Sequence, residues 1–180
     1  MDTRAPALLD RLDLLEWRLC QRIGRLNLYR PWLWLLRLAS RLGDWPAWVV
    51  LVLAQPLLQE SGGWRHLLQY TLTALVAIAV YRLVKTRLCR ERPFITFVGN
   101  VRSHEPARDR YSFPSGHTMH AVMFLTLTAN HLPWLAPWLV PLVLLIALSR
   151  VGLGLHYLSD VVAGALLGLL FAGASLALVG

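Results

Sequence analysis

Five apolar segments restrict what this chain can fold into. They cover residues 45–58, 64–88, 115–131, 134–150 and about 156–178. The last four are long enough to cross the hydrocarbon core as helices, whereas the first is short and is interrupted by Pro46 and Pro56. With 56% hydrophobic residues the chain is too apolar for an ordinary soluble domain. The sequence therefore predicts an all-α integral membrane helical bundle with about five transmembrane helices.

The N-terminal 43 residues have a different pattern. Apolar residues recur there at helical spacing, but arginines interrupt them at positions 11, 18, 22, 25, 30, 37 and 41. One or two amphipathic helices lying at the membrane interface fit this pattern better than a span. The pattern predicts an interfacial segment at 1–43 and a membrane-embedded core at 44–180. The start lacks the uninterrupted apolar stretch of a signal peptide, so we expect it to be retained.

The charge of the chain indicates an anionic partner. Lys and Arg total 18 against 10 Asp and Glu, and every cation except Lys85 is an arginine, whose planar fork suits phosphate. Long apolar segments and eight Trp favour lipid headgroups over nucleic acid, for which the chain has no binding motif.

One long polar loop, residues 89–113, separates the second and third apolar segments, and the first polar patch leads into it. Lys85, Cys89 and Arg92 would share a face if the helix continued to Pro93, and two cations would then point at one anion. The alternative is a basic helix end whose long side chains extend to the lipid headgroups.

The second patch, Phe113-Pro-Ser-Gly-His117, opens an apolar segment. Free N–H groups at a helix start favour an anion, and Gly116 allows close approach of the backbone. His117 would then lie over the anion as a proton donor. The alternative is an ordinary helix start with an interfacial histidine.

The third patch runs from Ser149-Arg150 to His156 and Asp160. A carboxylate four residues after a histidine can hold one ring nitrogen and leave the other to attack. The alternative is a buried pair that joins helices. When helix directions are counted, all three patches reach the same side of the membrane.

Together the patches read K-x6-R-P, P-S-G-H and S-R-x5-H-x3-D. This order resembles the signature of the type 2 phosphatidic acid phosphatase family, which includes vanadium haloperoxidases and glucose-6-phosphatase. The resemblance covers residues 85–160 without a departure. It implies that Lys85, Arg92 and Arg150 bind phosphate with Ser115 and the Gly116 backbone. It also implies that His156 is the nucleophile, Asp160 its orienting partner and His117 the general acid.

The expected reaction is hydrolysis through a phosphohistidine, without metal or other cofactor. A zinc site of His117, His120, His156 and Asp160 is disfavoured because three neighbouring cations would oppose a divalent metal. We also expect vanadate, a phosphate mimic, to inhibit. A haloperoxidase is disfavoured because those relatives are soluble.

A substrate at headgroup depth is expected, namely a lipid phosphate or diphosphate. Undecaprenyl diphosphate is favoured over phosphatidylglycerophosphate, phosphatidate and lipid A phosphate. Two rival readings are a lipid phosphotransferase, which would pass phosphate to an acceptor lipid, and a membrane protein that binds lipid phosphate without turnover. The resemblance favours an active site at the extracytoplasmic face of a bacterial inner membrane. The positive-inside rule favours the cytoplasm, because Arg65 is the one cation of the predicted opposite face.

Overall fold

The computed structural model describes residues 16, 18–23, 29–59, 61–97, 105 and 109–179. Residues 18–23 are helical. The remaining helices are α1 (Arg30–Leu42), α2 (Trp45–Leu53), α3 (Gln55–Leu58), α4 (Gly63–Leu88), α5 (Pro93–Thr96), α6 (Gly116–His131), α7 (Ala136–Gly152) and α8 (Leu158–Val179). The described residues contain no strand, and a single antiparallel bridge pairs Glu91 with Tyr111. The predicted all-α class is confirmed.

The helix that carries Lys85 ends at Leu88, as the apolar segment 64–88 predicts, and does not continue to Pro93. Cys89 adopts a left-handed conformation with φ 48° and closes α4 at Leu88. Arg92 is extended because a residue that precedes proline is disfavoured in the helical region. Lys85 and Arg92 therefore do not share a helix face, and a turn brings them together instead.

The apolar segment 45–58 forms two helices. α2 ends at Leu53 and α3 begins at Gln55, since Pro56 has no N–H to donate to a continuing helix. The nine residues of α2 extend for about 14 Å, less than half of the hydrocarbon core.

Two of the helices described, α4 and α8, are long and apolar enough to cross a membrane, and α7 is a shorter apolar helix. Exposed tryptophans mark both ends of the bundle. Trp34 and Trp45 lie near the end where α4 finishes, and Trp64, Trp134 and Trp138 lie near the other. Such aromatic belts are typical of membrane interfaces. The number of five spans stays a prediction.

Helices α6 and α8 pack most closely. A Cβ added at Gly164 would lie 2.4 Å from the carbonyl oxygen of Ser115, and one added at Gly168 would lie 2.5 Å from that of Met119. Small residues that let helix backbones approach in this way are the usual contact between membrane helices. This packing fixes the start of α6 beside the start of α8.

The predicted interfacial segment lies partly outside the described residues, namely at 1–15, 17 and 24–28. Within the described part, α1 buries Leu36 and Ala39 and exposes Arg37 and Arg41. It packs against α7, with Leu36 beside Gly152 at the end of α7 and Gly43, directly after α1, beside Ile146. The boundary at residue 43 stays a prediction.

Candidate active site

The three polar patches meet at one end of the bundle, around a cavity of about 1220 Å³. The ends of α4 and α7 and the start of α6 border it. Six of the eight predicted site residues line the cavity, namely Lys85, Arg92, Gly116, His117, Arg150 and His156. Ser115 and Asp160, both fully buried, lie behind this lining.

Lys85 and Arg92 are both buried although each carries a positive charge. Lys85 Nζ lies 2.7 Å from the hydroxyl oxygen of Tyr81, one helical turn earlier. Arg92 donates from Nη1 to the carbonyl oxygen of Leu155 at 3.0 Å. Burial of unpaired cations costs several kcal/mol, so this pair is arranged to receive an anion.

In this structure the anion is the carboxylate of Asp109. Its Oδ2 lies 3.0 Å from Lys85 Nζ, and its Oδ1 lies 3.1 Å from Arg92 Nη2. Although partial burial by itself would raise the pKa of Asp109, the contacts with Lys85 and Arg92 hold that pKa below its ordinary value. Asp109 therefore remains ionised in the position that suits two oxygens of a phosphate.

His156 lies between these cations and a second carboxylate. Its Nε2 is 3.3 Å from Arg92 Nη1, and its Nδ1 is 3.5 Å from Asp160 Oδ2. The second distance is longer than a hydrogen bond, so the carboxylate of Asp160 lies beside Nδ1 of His156 without a close contact to it. His156 precedes α8 instead of lying within it, since that helix begins at Leu158.

The surroundings of His156 keep its imidazole neutral. Burial, followed by the positive charges of Arg150, Arg92 and Lys85, holds the pKa of His156 well below its ordinary value. A neutral imidazole has a lone pair to donate to an electrophile.

Asp160 is held in place by Arg90. The Arg90 guanidinium donates to Asp160 Oδ1 at 2.6 Å and to Glu16 Oε2 at 2.8 Å, and it lies 4.0 Å from the ring centre of Tyr157. Arg90 and Asp160 are both fully buried. Loss of Arg90 would leave the carboxylate of Asp160 buried without its cation, which costs about 3–5 kcal/mol.

Arg150, in the last turn of α7, makes its contact with α1. Its Nη1 donates to Ser40 Oγ at 2.6 Å, and that hydroxyl donates to Glu105 Oε2 at 2.6 Å. The carbonyl oxygen of Arg150 accepts the backbone N–H of His156 at 3.0 Å. One residue thus connects α1 to the loop that carries His156.

His117, in the first turn of α6, contacts Asp44, in the turn between α1 and α2. Its Nε2 lies 2.9 Å from Asp44 Oδ1. Gly116 lines the cavity beside it, whereas the hydroxyl of Ser115 pairs with Thr118 Oγ1 at 3.0 Å. The backbone N–H of Ser115 donates to the carbonyl oxygen of Asp160, so the second and third patches are hydrogen-bonded directly.

The cavity continues from this polar end between α2 and α4. Its walls there are apolar and include Trp48, Val49, Val52, Leu53, Ala74, Leu75 and Ile78. Thr71 also lines it, and the 14 residues from Thr71 to Lys85 correspond to about 21 Å along α4. The cavity therefore has one polar end and one long apolar arm.

Sequence reasoning missed several residues that contact the predicted ones. Arg90 could have been found from the sequence, because it is a second arginine two residues before Arg92. Asp44, Glu16, Ser40 and Asp109 could not, since no spacing connects them to the patches. Their positions depend on how α1 and the polar loop pack in three dimensions.

Comparison with known proteins identifies a family for much of the chain. The family model of the PAP2 superfamily matches residues 66–180. An undecaprenyl-diphosphatase of Sulfolobus acidocaldarius is 34% identical over 97 residues, which are 52% of this chain and 46% of that protein. The chain thus spans about half the length of the curated relative it matches.

Two solved structures share the fold. LpxE of Aquifex aeolicus has a TM-score of 0.77 and 23% identity, with 91% of this chain and 95% of that chain covered. A transmembrane PAP2 type phosphatidylglycerolphosphate phosphatase of Bacillus subtilis has a TM-score of 0.69 and 22% identity, with 96% and 87% covered. At these identities the likeness supports the fold, and the apolar helices and this likeness together support an integral membrane protein.

Proposed function

Because the chain belongs to the PAP2 superfamily, we propose that it is a membrane lipid phosphatase that works through a phosphohistidine. It removes phosphate from a lipid phosphate or diphosphate and needs no metal ion. The observation that carries this proposal is the position of His156. Its Nε2 faces buried cations while a carboxylate lies behind its Nδ1.

In the first step, the lone pair of His156 Nε2 attacks phosphorus and the bond from phosphorus to the leaving oxygen breaks. His117 donates a proton to that oxygen, so that the lipid leaves as an alcohol or a monophosphate. Lys85, Arg92 and Arg150 hold the three non-bridging oxygens. The imidazolium charge that forms on His156 is balanced by Asp160.

In the second step, water attacks the phosphorus of the phosphohistidine. His117, now neutral, accepts a proton from this water, and the N–P bond breaks with its electron pair returning to His156. Inorganic phosphate leaves and both histidines regain their starting protonation states. Two displacements on a positioned histidine replace one slower direct attack by water.

The shape of the cavity supports a lipid substrate. Its polar end fits a phosphate, and its apolar arm between α2 and α4 fits a long hydrocarbon tail that lies in the membrane. Undecaprenyl diphosphate is the first substrate that we propose, which agrees with the name of the Sulfolobus relative. Phosphatidylglycerophosphate and phosphatidate come next.

The test is phosphate release by the purified chain in detergent and EDTA with these three lipids. We expect metal-independent release that falls at least about 10⁴-fold in His156→Ala, because no nucleophile remains. Glu91→Gln, which removes a surface partner of Arg110, is the matched control and should behave as the parent protein.

Three outcomes would contradict the proposal. Phosphate release by the His156→Ala variant at the parental rate would contradict a phosphohistidine at this residue. Release that appears only with an added acceptor lipid would favour a phosphotransferase. Binding of these lipids without any turnover would favour a non-catalytic lipid-phosphate-binding protein.

We further propose that the site faces the extracytoplasmic side of a bacterial inner membrane. The family resemblance favours this side. The arginines at the site end favour the cytoplasm by the positive-inside rule, but Lys85, Arg92 and Arg150 are needed to bind phosphate, which weakens that count.

Cysteine accessibility in intact cells tests the orientation. Arg87→Cys lies at the site end of α4 and Ser61→Cys just before its other end, and both positions are exposed. In a Cys89→Ser background, an impermeant thiol reagent should label Arg87→Cys and leave Ser61→Cys unlabelled. The reverse pattern would place the site in the cytoplasm.

A further inference from the structure

The turn between α1 and α2 reaches into the site from a part of the chain that precedes the family match at 66–180. Ser40, in the last turn of α1, holds Arg150, and Asp44, directly before α2, contacts His117. Neither residue belongs to the three polar patches. Asp44 is the more informative of the two, because its partner is the proposed proton donor.

Asp44 contacts His117 instead of forming the hydrogen bond that an aspartate at the start of a helix usually forms. It is the N-cap of α2, where an aspartate ordinarily accepts a hydrogen bond from its own helix. No such bond is made here, and the carboxylate lies 2.9 Å from His117 Nε2 instead. The side chains of Asp44 and His117 are 28% and 20% exposed, so the pair is largely shielded from water.

The turn is built to hold this carboxylate close to the ring. A Cβ added at Gly43 would lie 3.2 Å from His117 Cδ2 and 2.9 Å from Ile146 Cγ2, so glycine permits the approach. The indole N–H of Trp48 donates to the carbonyl oxygen of Gly43 at 3.1 Å. The backbone N–H of Gly43 donates to the carbonyl oxygen of Ala39 at 2.9 Å. These hydrogen bonds hold the backbone of Gly43 in place, directly before Asp44.

We propose that Asp44 is a positioning residue for His117 and forms with it a second histidine–carboxylate pair beside His156 and Asp160. The carboxylate fixes the ring orientation and stabilises the imidazolium that donates the proton, as the aspartate does in a serine hydrolase triad. This inference rests on the proposed function, because it assigns Asp44 to the proton-donating half of that reaction. Asp160 then orients the nucleophile His156, and Asp44 orients the proton donor His117.

Leaving-group dependence separates this role from a structural one. An alkyl alcohol is a poor leaving group that needs a proton, whereas nitrophenolate leaves without one. A residue that acts through the proton donor should therefore affect the two kinds of ester differently. Damage to the fold or to phosphate binding should affect both alike.

The experiment compares kcat/KM for phosphatidate and 4-nitrophenyl phosphate, using the full chain in detergent. In Asp44→Asn we expect kcat/KM for phosphatidate to fall roughly tenfold or more, within the range of general acid catalysis. The value for 4-nitrophenyl phosphate should stay within about threefold, because nitrophenolate needs no proton. Asp44→Ser, which also suits a helix N-cap, should reproduce this split and guards against a folding defect of one variant. Glu91→Gln is the matched carboxylate control.

A double variant gives the second readout. In a His117→Ala background, Asp44→Asn should cause no further loss with phosphatidate, since a residue that acts through His117 has no effect once His117 is gone. Equal losses on both esters, unchanged kcat/KM on both, or a further loss in the double variant would each overturn the role of Asp44. A parent protein that releases phosphate from neither ester nor from undecaprenyl diphosphate would overturn the proposed function itself, and this inference with it.

Discussion

At the scale of single residues, Asp109 pairs with two buried cations of the site, Lys85 and Arg92. Asp109 carries its negative charge between Lys85 and Arg92, in a loop position where its side chain is 43% exposed. A partly exposed carboxylate can leave more readily than the buried cations that it contacts. A phosphate that binds Lys85 and Arg92 as proposed would therefore displace Asp109.

This arrangement predicts that Asp109 competes with phosphate. In Asp109→Asn we expect inorganic phosphate to inhibit at about tenfold lower concentration, because loss of one close negative charge is worth about 1.4 kcal/mol. The inhibition constant measured at fixed pH checks this, with Glu91→Gln as control. Weaker inhibition would mean that Asp109 orients the cations and does not compete.

Spacing in the sequence predicted which side chains would lie close together. Lys85, Arg92, His117, Arg150 and His156 were proposed from three patches, and the structure places all of them around one cavity. Their catalytic roles remain proposals. The partners supplied by α1 and the polar loop could not be predicted, because contacts between residues distant in sequence leave no periodic signal.

At the scale of elements, long apolar segments predicted helices closely. The segments 64–88 and 115–131 correspond to Gly63–Leu88 and Gly116–His131. The segment 45–58 was predicted as one helix, and this was wrong because the chain breaks between α2 and α3 near Pro56. Hydrophobicity alone does not reveal such a break.

The short helix α2 has a consequence for the site. It begins at Trp45, directly after Asp44, and its residues Trp48, Val49 and Val52 line the apolar arm of the cavity. One element thus connects the proposed partner of His117 to the proposed tail-binding wall. Through Ser40, Asp44 and α2, the part of the chain before the family match thus contributes to the cavity.

The whole molecule divides into a polar end and an apolar body. Leucines such as Leu68, Leu72 and Leu166 are exposed on the outer faces of α4 and α8, as expected of helices that contact lipid. The buried charges of the described residues lie at one end, where α4 and α7 finish and α6 and α8 begin. This polarity suits the proposed substrate, whose headgroup would lie at the polar end while its tail stays in the apolar phase.

The central claim is that phosphate passes through His156, and trapping the phosphoenzyme tests it most directly. In His117→Ala with 4-nitrophenyl phosphate, the first step needs no proton donor while the second lacks its base, so the intermediate should accumulate. Rapid quenching at alkaline pH and peptide mass spectrometry should find acid-labile phosphate on His156. Turnover without a phosphorylated protein, or phosphate on another residue, would contradict the claim.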